Sequence, residues 1–438
     1  MAEPIPEIQL PPITILANGS NDAEREANLK TVLSSPGYPE TLFMLVEVFE
    51  RRVEDVLLDY TRDSVAVRFR IDGVWHEFPP RDRVPGDYML AVLKKIANLD
   101  HTDRRSKQSA EFGAKYRGST MRLTLTTQGV RTGERVLLSI GYKGRDIEKF
   151  EDSTIRPAML EQWVGLLRSP SGLVLTSAMP GDGKTTIWRC SLNAADRFVR
   201  DFIGFEDKRH SEPEVINVDV QTYDSSAGET PLKLLPQALL KQPDVLCLSD
   251  LVSGDVFDSF LDQAVDQQKF VIGHIPARSA TEALVRVLAL GTDPELLAKT
   301  VQGVLYQRVL RKLCDNCRQP YSPPPELLKQ LGIRPGRVQT LYGEWQPPPP
   351  EMQVDEKGNP IEIPICPRCH GVGYQGRAAI YELLVVNDEI RDAIRRKADL
   401  AEMMTITSKA HVPLRDEGVV LVAKGVTSVE ELQRVLQR

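Results

Sequence analysis

Gly172-Leu173-Val174-Leu175-Thr176-Ser177-Ala178-Met179-Pro180-Gly181-Asp182-Gly183-Lys184-Thr185-Thr186 begins as a short apolar strand, turns through two glycines and continues into a stretch that can form a helix. That order is the setting in which Gly-Lys-Thr-Thr grips phosphate. Glycines let backbone N–H groups turn onto phosphate oxygens, and the helix that follows presents its positive end to them. On this reading Lys184 reaches the β- and γ-phosphates of a nucleotide and the Thr185 hydroxyl ligates Mg²⁺. Gly181, Asp182, Gly183 and Thr186 complete the cofactor-binding candidates. The first glycine of the Gly-x-x-x-x-Gly-Lys-Thr pattern is replaced by Ala178, which strains the loop if that position needs a positive φ. The plain alternative is a tight strand-to-helix turn with no ligand.

Outward from this loop, Phe202 to Glu206, Val245 to Leu248 and Phe270 to Ile275 are further apolar strands separated by helical stretches, the pattern of a parallel sheet covered by helices. An α/β domain is expected over residues 151–312. Gln242-Pro243-Asp244-Val245-Leu246-Cys247-Leu248-Ser249-Asp250 ends one strand in an acid, and Asp250 is expected at the carboxyl edge of a strand neighbouring the phosphate loop, where such an acid acts in catalysis.

Further toward the N-terminus, Val65, Val67, Phe69 and Ile71 alternate with polar residues, and Asp72-Gly73 turns the chain into Val74 to Phe78. This is a hairpin signature. A helix from Tyr88 to Leu99 and strands over Thr120 to Thr127 and Arg135 to Ile140 complete a small α+β domain over 41–150. Residues 1–40 are proline-rich and weakly periodic, so a flexible arm with a short helix around Asp22 to Leu33 is expected.

Cys314-Asp315-Asn316-Cys317 and Cys366-Pro367-Arg368-Cys369 are two Cys-x-x-Cys pairs. Four thiolates at that spacing close a tetrahedral Zn²⁺ shell of the structural kind. The residues between them, with runs at Pro323 to Pro325 and Pro347 to Pro350, are expected to be extended and poorly packed, so the metal ties their ends together in a subdomain over 313–376. The alternative is a pair of disulfides or idle thiols. The remainder, 377–438, reads as mainly helical with a strand near Ala378 to Tyr381.

The chain has 438 residues, a formal net charge of −6, 41% hydrophobic and 26% charged residues. The length suits two or three domains. The acidic balance argues against a general nucleic-acid binder, and no apolar run is long enough to span a membrane. MAEPIPEIQLPP lacks the basic start and apolar region of a secretory signal, so a cytosolic location is expected.

These motifs together resemble the type II secretion and type IV pilus assembly ATPase family, from about Val53 to the C-terminus. Val67 to Val74 and Thr132 to Val136 resemble its N-terminal PAS-like domain. Phe205-Glu206-Asp207 resembles its aspartate box, and Gly303 to Cys314 the segment entering its metal site. Gly373 to Leu384 and Leu414 to Gly418 resemble its C-terminal signatures. The resemblance implies a RecA-like domain that binds ATP, a homo-oligomeric hexameric ring, and hydrolysis that drives assembly of pilin-like subunits through an inner-membrane platform, without nucleic acid. It also implies that Glu206 orients the attacking water.

The departures from the family cluster on catalysis. Its Gly-Glu-Ile-Arg-Asp is matched by Ser249-Asp250-Leu251-Val252-Ser253, its histidine by Pro276 with His274 two residues earlier, and its Asp-Pro-x-Glu by Asp207-Lys208-Arg209-His210. Its arginine-bearing Leu-Pro-Gln-Asp-Gly-Arg is matched by Ser106 to Glu111. Two readings therefore stand together, a motor ATPase and a nucleotide-binding, hydrolysis-deficient scaffold or regulatory paralogue. A DNA-stimulated motor is disfavoured by the charge.

Overall fold

A computed structural model describes residues 10–142, 147–349, 353, 361 and 363–437. The chain divides into two compact units, Met1–Asp146 and Ile147–Arg438.

The first unit is built on strands β1 (Ile13–Leu16), β2 (Asp55–Tyr60), β3 (Ser64–Ile71), β4 (Val74–Asp82), β5 (Gln108–Tyr116), β6 (Ser119–Val130) and β7 (Gly133–Gly141). They form one antiparallel sheet in the order β1-β5-β6-β7-β2-β3-β4. Burial alternates residue by residue along β3, so one face is left for a core. Helices Gly37–Glu50 and Arg83–Ile96 supply buried Leu45, Val48, Met89 and Leu93. The β3–β4 turn places Asp72 at φ 47° and Gly73 at φ 81°, the pair of left-handed conformations that a two-residue hairpin needs.

The flexible arm expected over 1–40 is corrected in its described part. β1 pairs antiparallel with β5, the helix Asp22–Leu33 buries Val32 and Asn28, and Asn28 Nδ2 donates to Asn18 O at 2.9 Å. A four-residue strand carries too little periodicity to be seen in sequence. Its hydrogen bonds come from a partner about 100 residues away.

The second unit contains β8 (Gly172–Ser177), β9 (Phe202–Asp207), β10 (Val218–Tyr223), β11 (Val245–Leu248), β12 (Phe270–His274), β13 (Val301–Leu313), β14 (Gln319–Tyr321), β15 (Leu341–Gly343) and β16 (Tyr374–Val385). The main sheet runs β10-β9-β11-β12-β8-β13-β16, parallel throughout except for β16, which pairs antiparallel with β13. Every residue of β8, β9, β11 and β12 is buried, as a sheet covered on both faces requires. Leu173 and Leu175 enter one core with Phe205, Phe257 and Leu284, whereas Val174 between them enters another with Trp163, Ile187 and Trp188. The chain is thus α/β with a parallel sheet, preceded by an α+β unit.

Two expectations change, and a third, the strand near Ala378 to Tyr381, is found and proves longer. β11, which carries the acid, is not a hydrogen-bonded neighbour of β8, because β12 lies between them. The proline-rich stretch is packed in its first half: β14 and β15 pair, helix Pro325–Leu331 intervenes, and Leu341 is fully buried while Leu327 and Leu331 pack on the main core. Residues 350–352, 354–360 and 362 of that stretch lie outside the described residues. The C-terminal part is helical from Asp388 onward, but it begins with β16, a twelve-residue edge strand of the main sheet.

Candidate functional site

β8 ends at Ser177 and the loop 178–183 leads into helix Lys184–Ala194. Gly181 has φ 88° and Gly183 φ 89°, so both need the freedom of glycine. At Gly183 a β-carbon would also come within 2.3 Å of Gln307 Nε2. That amide, fully buried on β13, donates to Asp182 O at 2.8 Å and to Gly183 O at 3.1 Å and so holds the loop from below. Arg308 on the same strand lies 3.8 Å from the Asp182 carboxylate. Ala178, by contrast, is buried without a positive φ, so the alanine in place of the pattern's first glycine is accommodated without strain.

Lys184 is the first residue of the helix. Its Nζ donates to Asp250 Oδ1 at 2.9 Å and Oδ2 at 3.0 Å, and lies 3.3 Å from Glu212 Oε1. Asp250 follows β11, and the register that pairs Leu248 with Phe205 and with Gly273 brings the ends of β9, β11 and β12 to one edge. Lys184 therefore reaches past the end of β12 to meet an acid two strands away.

His274, which ends β12, is buried in between and bonded to Thr176 Oγ1 at 3.0 Å. Burial, with the Lys184 ammonium next in effect, drives its pKa down to about 3, so its imidazole stays neutral. Lys184, Thr185, Glu212, Asp250, His274 and Pro276 line a cleft of about 400 Å³.

Glu206 does not line this cleft. It is buried at the end of β9, its Oε2 accepts from Glu212 N at 3.0 Å, and burial, opposed by that hydrogen bond, raises its pKa. Asp207 accepts from Ser225 Oγ and, at 3.1 Å, from Arg209 N, contacts that hold its carboxyl below the ordinary range and fix the turn at 208–210. Thr186, Gly181, Asp182 and Gly183 belong to the loop and first turn but lie off the cleft wall.

Two residues escaped the sequence reading. Gln307 sits in a strand that the apolar pattern does not distinguish from any other. Glu212 had a signal, because the aspartate box of the resembled family carries an acid shortly after its Asp-Pro, and here Glu212 is the acid that follows Asp207. Glu212 Oε2 is buried with no hydrogen-bond partner among the described residues. A buried carboxylate oxygen left open beside Lys184, a loop with two left-handed glycines and a helix N-terminus fit a phosphate group with a divalent cation.

The four cysteines form a second centre. β13 delivers Cys314 and the turn before β16 delivers Cys369, whose Sγ accepts from Gly373 N at 3.3 Å. Cys366 Sγ accepts from Asn316 Nδ2 at 3.2 Å. Sγ atoms of Cys314 and Cys366 are 3.9 Å apart, those of Cys317 and Cys369 3.5 Å, and all four lie within 4.8 Å of one another. These separations are far beyond a disulfide bond. They match the edge of about 3.8 Å that four thiolates make around a tetrahedral Zn²⁺ at roughly 2.3 Å. The thiols of Cys190 and Cys247 are fully buried elsewhere, and burial pushes the Cys190 thiol up to about 12.

A sequence profile of the family described as type II/IV secretion system protein matches residues 40–434. The chain is 28% identical over 396 residues to the type II secretion system protein E of Pectobacterium carotovorum subsp. carotovorum, covering 90% of this chain and 74% of that one. It is 26% identical over 389 residues to the type IV pilus assembly ATPase PilB of Thermus thermophilus, covering 88% of this chain and 41% of that one. Among solved structures, the Legionella pneumophila ATPase DotB superposes with a TM-score of 0.56 at 12% identity, over 90% of this chain and 94% of that one, a likeness of fold.

Proposed function

Because this chain belongs to the type II/IV secretion system protein family, we propose that it is an ATP-binding motor subunit of type II secretion or type IV pilus assembly. In this reading ATP binding and hydrolysis drive assembly of pilin-like subunits at the inner membrane. The single observation that carries it is Lys184 at the start of its helix, its ammonium held by Asp250 and Glu212 over an open cleft. Gly181, Asp182, Gly183, Lys184, Thr185 and Thr186 would hold ATP and Mg²⁺, the metal supplying charge neutralisation at the phosphates. Lys184 then exchanges a carboxylate for phosphate oxygens. Asp250 orients water at the cleft, and Glu206, behind the cleft wall, acts through the hydrogen bond by which it holds Glu212, a third carboxylate at the same edge. The four cysteines hold Zn²⁺, which fixes the strands they flank. No helix among the described residues is long and apolar enough to cross a membrane. Family membership supports a cytoplasmic subunit working in a hexameric ring against an inner-membrane platform.

One observation favours a second reading, nucleotide binding without turnover. Asp250 grips Lys184 with both oxygens, and it stands where the family carries the longer glutamate. A displacement of about 1 Å can cost on the order of 100-fold in rate. Calorimetry with ATP and Mg²⁺, set beside steady-state phosphate release, separates the two. Binding that Lys184→Ala abolishes, with release that Asp250→Ala abolishes, establishes the motor. Binding with no release above background establishes the scaffold. An absence of binding at millimolar nucleotide overturns both.

A further inference from the structure

The first unit contains a cleft of about 440 Å³ far along the sequence from the phosphate loop, walled by Arg83, Arg104, Arg105 and Arg131, with Gly129 and Glu134 beneath. We propose that this four-arginine cleft binds a phosphate-bearing anion, as a second anion site independent of the nucleotide loop.

The arginines are presented by a built scaffold. Lys94 and Glu134 are 1% and 3% exposed and form an ion pair at 2.5 Å, so the Glu134 charge is offset by a buried ammonium. The same ammonium donates to Asp103 O at 2.7 Å, and Gln108 Nε2 donates to that carbonyl at 3.0 Å. Asp103 Oδ1 accepts from the backbone N–H groups of Arg105 and Ser106, at 2.8 Å and 3.0 Å, and so turns the chain at Arg104 and Arg105. Gly129 N donates to Arg105 O at 3.2 Å, and a β-carbon at Gly129 would sit 2.7 Å from Arg105 Cα, so the 103–106 loop and the β6–β7 end approach this closely only because that residue is glycine.

Charge is unbalanced at the rim. Asp87 is shared, with Oδ2 2.9 Å from Arg83 Nε and Oδ1 3.2 Å from an Arg104 amino group. Arg83 also donates to Thr61 O. Among the described residues, no ion pair or side-chain hydrogen bond engages the guanidinium of Arg105 or Arg131. Two uncompensated guanidiniums lining one cleft suit a phosphate group, whose non-bridging oxygens accept paired, charge-assisted N–H···O bonds from such forks. Asp87 offsets one of the four guanidinium charges, and it pairs with Arg83 and Arg104 rather than with Arg105 or Arg131.

The test uses the full chain carrying Lys184→Ala, so that the nucleotide loop contributes nothing, titrated with inorganic pyrophosphate by calorimetry and sedimented with phosphatidylcholine vesicles with and without phosphatidylglycerol. One equivalent of pyrophosphate is expected to bind, weakened about tenfold or more by Arg105→Ser with Arg131→Ser, since each removes charge-assisted hydrogen bonds. Arg122→Ser, an exposed arginine on the same sheet, is expected to leave it unchanged. Sedimentation with the phosphatidylglycerol vesicles, lost in the double variant, assigns the phosphate to a lipid headgroup; pyrophosphate binding alone assigns it to a soluble ligand. Both support the site. Binding of neither probe, or equal binding by the double variant with an unchanged thermal midpoint, overturns it. Arg131→Ser alone serves if the double variant melts early.

Discussion

Gly183 and Ala178 lie at the two ends of one loop and obey opposite rules. A side chain at Gly183 meets an unfavourable φ and the Gln307 amide together, so Gly183→Ala is expected to lower stability by about 1–3 kcal/mol and to abolish nucleotide binding. Ala178→Gly, at an ordinary φ, should leave nucleotide affinity within a factor of two or so and cost up to about 1 kcal/mol through added chain freedom. Calorimetry and denaturant midpoints of the two variants check both; improved affinity in Ala178→Gly would show that the loop is strained after all. His274 makes a separate prediction. Its pKa of about 3 lies below the value of about 6.5 in the unfolded chain, so the unfolded state binds the extra proton between those limits. Stability contributed by the neutral ring is complete above pH 6.5 and falls as pH drops toward 3, by at most about 1.4 kcal/mol per pH unit. His274→Gln should flatten that part of the curve, measured as urea midpoints between pH 7 and pH 4.

Among the elements, β13 joins both functional centres. It carries Gln307 under the phosphate loop and ends at Leu313, one residue before the first cysteine of the four-cysteine cluster. If the proposed Zn²⁺ occupies that cluster, its loss is expected to loosen the chain on both sides of the cysteines while leaving the buried middle of the strand in place, because Val304, Leu305 and Tyr306 are held by β8 and β16. Zinc release by a chelator, or Cys366→Ser, should expose amides near 314–318 and 366–374 to hydrogen exchange and leave those of 303–307 protected. Equal loss of protection at 303–307 would mean that the metal holds the whole strand. The β14–β15 pair leaves no mark in the sequence: two three-residue strands separated by a helix have no periodicity to detect, and their stability comes from burying Leu341 against the main core.

At the scale of the whole molecule, each unit has its own sheet and its own buried side chains. Differential scanning calorimetry is expected to resolve two transitions, of which chelation lowers only that of the unit holding the cysteines. A single transition shifted as a whole by chelation would refute that independence.

Local signals in the chain were enough to identify the strand–glycine–lysine–threonine loop, the four core strands of the parallel sheet, the Asp72-Gly73 hairpin and both cysteine pairs, because each is defined by neighbours within a few residues whose φ preferences, apolar pattern or ligand spacing act locally. Tertiary structure alone decided that β12 separates the acid's strand from β8, that Glu212 and Gln307 reach the loop, that β1 joins the sheet, and that four arginines from three separate segments share one cleft. Those facts depend on strand order and on pairings across tens to hundreds of residues, and the periodicity of a segment carries no record of which partner it will meet.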